Sequence, residues 1–393
     1  MIINGITVPT DSVEKQDFDK DYVYQRVEIT IEHTKEVVET KISKEFEKYL
    51  VTDRVDAYVW GLLTLAMFLG EDIESDLPIS ESLYYNLEFH FIPTLAQNTP
   101  EWKRIHIKTP LIPDIMSQER NIVATGISCG VDSLYTVASH SVSNMPHSHK
   151  INTLAFFNAG SSYYPGQPLR TSLVNGRIKL AQEFAEEYGY GFLFIESNII
   201  QIYAKYHSYS HAENHTYSML FCTYMIQGAL RHYYYSSAYS YNEFSFKATA
   251  EQNGSAGHYD LFTLKMASIA GLQYHSTGSD VTRFCKTKYL VNYQPAQKYL
   301  NICVKDTVNC CTCNKCIRTI FTLDALGALC KFSNVFDIKK FNKNRKFWLQ
   351  ELYMGAKYDH DILLQEILPY FQHEITLIMK LRTFCVSVKR RFR

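Results

Sequence analysis

Residues 121–133 read NIVATGISCGVDS, and this stretch decides the fold. Its first half is an apolar run of strand length without polar alternation, the pattern of a strand covered on both faces in a parallel sheet. Directly after it, the small residues Ser128 and Gly130 permit a tight turn, and a helix is expected over residues 133–141. Working outward, residues 151–157 (INTLAFF) form a second strand, residues 170–188 a helix stopped by Gly189, and residues 191–196 (GFLFIE) a third strand. A helix that begins at His211 leads into a fourth parallel strand ending in the hydroxyls of Ser236 and Ser237. Strand and helix in regular alternation predict an α/β fold, a parallel sheet with flanking helices. Three domains are expected: an N-terminal α+β accessory domain over 1–115, the α/β domain over 116–335, and a helical extension over 336–393. The first has strands at 22–31 and 103–108 around a helix at 54–69, and shows no chemical constellation.

Composition narrows the function classes. Hydrophobic residues make up 46% and charged residues 20%, so the chain can bury a core and lacks the signature of disorder. Forty basic residues balance forty acidic ones, which leaves no global field for nucleic acid or an anionic membrane, and neither is an expected partner. Residues 1–13 lack a basic segment followed by an apolar one, and the longest apolar run, 59–70, is shorter than a membrane-spanning helix needs; a buried helix and a cytoplasmic location are expected. The basic tail, 389–393, is expected to be solvated.

The hexamer SCGVDS, Ser128 to Ser133, joins a strand to a helix with small residues, so that backbone N–H groups and the positive helix end converge on an anion. A plain polar cap between strand and helix is the alternative. The loop lacks the lysine and spacing of a Walker A motif and the glycine pattern of a dinucleotide fingerprint. Ser237, at the carboxyl end of a strand, is a substrate-site candidate by position, with a turn serine as the alternative. Asp280 and Arg283 could hold substrate or metal, or form surface ion pairs, and Tyr163, Tyr164 and Tyr259 could line a pocket or fill the core.

Ten cysteines are present, and Cys303, Cys310, Cys313 and Cys316 have the spacing C-x6-C-x2-C-x2-C. Two residues between cysteines let neighbouring thiolates reach one ion, which predicts a structural zinc knuckle rather than a disulfide framework; a redox pair and an iron–sulfur cluster are the rivals. Cys311 falls outside that spacing, and Cys222, Cys285, Cys330 and Cys385 are expected to be ordinary buried thiols.

Ser128, Gly130, Asp132 and Ser133 resemble the SGGxDS loop of the PP-loop ATP pyrophosphatases, with Cys129 where that family has glycine. Further along, VTRFCK at 281–286 resembles the family's lysine-bearing LTKAEI segment, and Cys303 with NCCTCNKCIRT at 309–319 resembles its zinc knuckle. Loop, lysine and knuckle in this order, over 121 to about 320, are similar to the branch of 7-cyano-7-deazaguanine synthase (QueC). The resemblance implies an adenine nucleotide alpha hydrolase-like fold and a ligase-like, cytoplasmic enzyme with ATP, Mg2+ and Zn2+ as cofactors. Such an enzyme adenylates a carboxylate or carbonyl, releases pyrophosphate, and forms an amide or nitrile with ammonia or an amine. It implies catalytic roles for Ser128, Asp132, Ser133 and Lys286, and nucleotide binding by Ser128 to Ser133 (Cys129, Gly130 and Val131 included) with Phe157 and Asn158. The substrate is a deazapurine-type small molecule or a polypeptide, in a modification or antiviral-defence pathway. A partner protein on the N-terminal domain and self-association stand as open expectations. The alternatives are a PP-loop sulfurtransferase with persulfide on Cys129 or Cys311, and a non-catalytic nucleotide- and zinc-binding module. As loop side chains, Asp132 and Ser128 are expected to tolerate Asp132→Asn and Ser128→Ala without loss of the fold.

Overall fold

A computed structural model describes residues 1–9, 20–116, 120–161, 170–246 and 254–391, with side chains through residue 388. Twelve strands are formed among them: β1 (Ile2–Thr7), β2 (Tyr22–Ile31), β3 (Thr34–Ser43), β4 (Ile73–Glu74), β5 (Ile79–Ser80), β6 (Ile107–Lys108), β7 (Leu111–Ile112), β8 (Ile122–Gly126), β9 (Thr153–Asn158), β10 (Gly191–Ser197), β11 (Leu230–Ser236) and β12 (Gln273–Thr277). The helices of eight residues or more among the described residues are α1 (Asp56–Leu69), α2 (Val131–His140), α3 (Thr171–Glu187), α4 (Ile199–Tyr206), α5 (His211–Tyr224), α6 (Asp260–Ala267), α7 (Arg283–Leu290), α8 (Asn314–Ala325), α9 (Arg345–Lys357) and α10 (Leu377–Arg391). No helix is long and apolar enough to cross a membrane among the described residues. The expected pocket tyrosines Tyr163 and Tyr164 lie outside the described residues.

The chain divides into two compact units, one of residues 1–127, 140–171 and 182–279, the other of 128–139, 172–181 and 280–393. The first holds a ten-stranded sheet in the order β12-β11-β8-β9-β10-β3-β2-β1-β4-β6. From β12 to β10 every pairing is parallel, as the alternating sequence predicts, and β11 is the expected fourth strand. β10 then pairs antiparallel with β3, with Ile195 opposite Ile42 and Ser197 opposite Thr40. These units run differently from the boundaries expected at 115 and 335. The reason at 115 is the unpaired edge that β10 would otherwise present, since exposed strand N–H and C=O groups must find partners. β3 supplies them, and the junction is tied by Thr40 Oγ1 donating to Ser197 Oγ (3.1 Å) and by Asn198, which accepts from Glu39 N–H (2.8 Å) and donates to Val37 C=O (3.0 Å).

The sequence of β3, TKEVVETKIS, is mostly polar and carries no clear strand signal, although Val38, Thr40 and Ile42 alternate inward. The turn into it is equally cryptic. Ile31 pairs with Thr34, so Glu32 and His33 alone make the hairpin turn, at φ 45° and 65°. Two left-handed residues are what a primed two-residue turn needs, and Asn-Gly is its usual sequence. Each non-glycine residue there costs about 1 kcal/mol or more, partly offset by glycine's greater freedom when unfolded. Replacing Glu32-His33 by Asn-Gly is therefore expected to raise the unfolding free energy by about 1 kcal/mol, seen as a higher urea midpoint at an unchanged slope. A lower midpoint would show that the side chains of Glu32 and His33 matter more than their backbone.

In the first unit the apolar run 59–70 lies mostly within α1, which is buried on nearly every side, Trp60 and Tyr58 included. A Cβ on Gly61 would come within 2.9 Å of the Phe221 ring of α5, so glycine is what lets these helices approach, and Thr64 Oγ1 donates to Asn214 of α5 at 2.7 Å. In the second unit, Arg345 of α9 pairs with Asp324 of α8 (2.8 Å) and with Glu374, while its guanidinium lies over the rings of Phe321 and Phe371. The C-terminal helices thus pack on α8 rather than standing as a separate extension.

Candidate anion site and cysteine metal centre

The hexamer that follows β8 folds around one hydroxyl. Ser133 Oγ accepts from Ser128 N–H (3.3 Å), donates to Gly130 C=O (3.2 Å) and lies 3.2 Å from Ser128 Oγ. Ser128 Oγ in turn accepts from Gly130 N–H at 3.3 Å, and a Cβ on Gly130 would crowd that oxygen at 3.2 Å. α2 starts at Val131, so its first-turn N–H groups have no acceptor within the helix. Cys129 takes φ 56°, the left-handed conformation for which glycine is best suited. Its side chain is fully buried, and burial pushes the thiol up to about 12.

Cations surround the loop's carboxylate. Asp132 Oδ2 lies 3.0 Å from Arg283 Nη1 and its Oδ1 lies 3.3 Å from Lys286 Nζ. Arg283 and Lys286 come from the first turn of α7, three residues apart and hence on one face. Lys286 is only 1% exposed, so Asp132 supplies counter-charge that a buried ammonium needs. This corrects the expectation that Asp132 has no structural duty. Burial holds the Lys315 ammonium below its usual range, and the positive charges of Arg283, Arg318 and Arg177 add to that, against the opposing charge of Asp132. Lys315 and Arg318 come from α8 and Arg177 from α3. Two cations on Asp132, with Lys315 in the field of that carboxylate and of further arginines, leave a surplus of positive charge, which suits a polyanionic ligand.

The same α8 begins at the cysteine cluster, with Cys313 at its N-cap. The sulfurs of Cys303, Cys310, Cys313 and Cys316 all lie within 4.8 Å of one another, and Cys310 Sγ is 3.9 Å from Cys316 Sγ. Thiolates about 2.3 Å from a tetrahedral ion sit about 3.8 Å apart, so the four cysteines can hold a metal ion such as zinc. Asn309 braces the knuckle, accepting from Ile302 N–H (2.9 Å) and donating to the carbonyls of Leu300 (2.8 Å) and Val335 (3.0 Å). Lys305 N–H points at Cys303 Sγ (3.3 Å), the Thr312 hydroxyl at Cys310 Sγ (3.4 Å), and Arg177 holds the Cys303 carbonyl at 2.7 Å. Burial raises the Cys310 thiol, but the Thr312 hydroxyl and nearby N–H donors outweigh it and bring the thiol down to about 6, whereas burial holds Cys303 and Cys316 up. Four adjacent sulfurs do not ionise together without a cation among them. Cys311 stands apart: its thiol donates to the Asn309 carbonyl and accepts from Asp337 N–H, both at 3.3 Å.

Comparisons with protein-family models, with curated proteins and with solved structures find no match to this chain.

The remaining site candidates separate by unit. Asp280 is exposed in the second unit. Ser237 is in the first unit, buried, and its hydroxyl donates to the Asp260 carboxylate at 2.7 Å, so it anchors α6 as a turn serine would. Phe157 and Asn158 close β9 in the first unit, Phe157 stacked near Tyr233 and Asn158 donating to Glu196 at 2.5 Å. Tyr259 is fully buried and within 3.0 Å of the Tyr217 hydroxyl, hence core rather than pocket lining. Cys222 is buried as expected, but Cys285, Cys330 and Cys385 are exposed, because each sits on the outer face of a short or terminal helix. Lys315, Arg318 and Arg177 were not expected. For the first two the signal was present, since NKCIRT places a lysine and an arginine three residues apart in a helix started by a cysteine.

Proposed function

We propose that this chain is an ATP-dependent, ligase-like enzyme of the PP-loop, QueC-like kind, which activates a carboxylate or carbonyl by adenylation with release of pyrophosphate. The observation that carries the reading is the set of cations, Arg283, Lys286, Lys315, Arg318 and Arg177, grouped with Asp132 of the SCGVDS turn. Such a group binds the phosphates of ATP and stabilises the charge that grows on departing pyrophosphate. Adenylation makes sense of the chemistry, because an oxide ion leaves poorly from carbon and AMP leaves well. Ammonia or an amine then displaces AMP to give an amide, and a second activation gives a nitrile. Asp132 is already held by two cations, so no residue is assigned to Mg2+, which in this reading arrives with the nucleotide and neutralises phosphate charge. Zn2+ in the four cysteines is structural: it fixes the start of α8 and with it Lys315 and Arg318.

Sulfur transfer is the weaker reading. A persulfide carrier needs an accessible, ionisable thiol, and burial pushes up the thiols of both Cys129 and Cys311. The decisive experiment is nucleotide chromatography and pyrophosphate–ATP exchange with deazapurine carboxylic acids and peptides as substrates, with and without ammonium. AMP with pyrophosphate is the expected product pair. ADP with phosphate as sole products would sink the proposal, and nucleotide binding without exchange for any carboxylate would favour a non-catalytic module.

A further inference from the structure

A second group of metal-ligating side chains lies wholly within the first unit and shares no residue with the cysteine centre or the Ser128–Ser133 turn. β11 and β12 run parallel with Tyr234 opposite His275 and His232 opposite Gln273. Side chains alternate along a strand, so His232 and Tyr234 share one face of β11, and the ring of His275 lies 5.1 Å from His232 and 5.0 Å from Tyr234 on that face. His149, at the end of the short turn His147–His149 that precedes β9, brings a third imidazole, its ring 4.5 Å from that of His232.

The ligand atoms of the three histidines all lie within 4.8 Å of one another. His232 Nδ1 and His275 Nε2 are 3.0 Å apart. Two imidazole nitrogens bound to a tetrahedral ion at 2.0–2.1 Å sit about 3.3 Å apart, so the pair needs to open by only a few tenths of an ångström. The Tyr234 hydroxyl lies 2.5 Å from His149 Nδ1, which leaves Nε2 of that ring for the ion. A partner on the far nitrogen is what orients a metal-bound histidine.

We propose that His149, His232 and His275 form a second metal centre, a three-imidazole site for Zn2+ that keeps its fourth position open. Nitrogen donors of this kind suit zinc better than the hard cations Mg2+ or Ca2+. Three protein ligands with an open position are the ligand set of catalytic rather than structural zinc, so the site would take water or a substrate oxygen as its fourth ligand.

The test uses the full chain. A mild chelator removes weakly held metal while the cysteine centre keeps its ion, and the protein is then titrated with Zn2+ by calorimetry and with Co2+ by absorption. One additional equivalent is expected, whose Co2+ spectrum shows ligand-field bands without thiolate charge transfer. His232→Gln and His275→Gln should each abolish that equivalent, as should His149→Gln, whose turn lies outside the sheet. Tyr234→Phe should keep the stoichiometry and weaken affinity by about 10–100-fold. Thiolate charge-transfer bands mark Co2+ in the cysteine centre, and their absence from the additional equivalent separates this centre from the zinc of the proposed enzyme. A wild-type chain that takes up no additional ion overturns the proposal. So does His149→Gln that binds like wild type, leaving the trio as a hydrogen-bonded cluster.

Discussion

Cys313→Ser is expected to yield protein with little or no bound metal, a partly unfolded second unit and low solubility. Cys313 is buried, contributes one of four sulfurs within reach of a single ion, and caps α8. A structural zinc ion of this kind contributes about 10–16 kcal/mol of apparent binding energy in small domains, against a net domain stability of about 5–15 kcal/mol. Losing one ligand therefore removes a stabilisation as large as the margin by which the unit is folded. Cys311→Ser is the matched control: its thiol is equally buried but sits on Asn309 and Asp337, so the loss should be about 1–3 kcal/mol with normal metal content. Elemental analysis with circular dichroism on both variants decides the matter. Metal-poor Cys311→Ser beside metal-replete Cys313→Ser would mean that the wrong four cysteines have been chosen, and iron with a visible absorption band would replace zinc by a cluster.

Lys286→Met is expected to lower adenylation by about 100- to 1000-fold while the unit stays folded, because methionine fills the buried volume of the lysine stem and only the charge is lost. Asp132→Asn should behave differently. It removes the counter-charge from a lysine that is 1% exposed, and so should cost about 1–3 kcal/mol of stability as well as turnover. Pyrophosphate–ATP exchange measured beside thermal unfolding separates the two outcomes. Equal melting temperatures for Asp132→Asn and wild type would show that Lys286 does not depend on Asp132, and unchanged exchange in Lys286→Met would remove that lysine from the site.

Four of the five parallel strands, β8 to β11, and the buried helix at 59–70 were legible because their signal is local, whereas β12, whose sequence QYHST is polar and short, reads as a loop. A strand covered on both faces must be apolar throughout, and a core helix must be apolar all round. The cysteine cluster was legible for a similar reason, since ligands of one ion that sit within a few residues advertise themselves by spacing. The SCGVDS turn was legible from its small residues between a strand and a helix, whereas Lys286 rested on resemblance to a family, which supplies residue types without supplying their partners.

What only the tertiary structure decided is whatever depends on two distant segments meeting. The merger of residues 1–115 into the main sheet rests on β3, whose largely polar sequence hides a single buried stripe, Val38, Thr40 and Ile42, that has meaning only beside the edge of β10. The ion pairs of Asp132 with residues more than 150 positions away have no local signature, and neither does the grouping of Lys315 with Arg283 and Arg177. The three histidines are the clearest instance: His149, His232 and His275 stand in a turn and two strands far apart in sequence, and only the folded arrangement of that turn beside β11 and β12 brings them together. Hydrophobic periodicity is written in neighbouring residues, whereas charge pairing and metal ligation are relations between side chains that the chain must first fold to bring within a few ångströms.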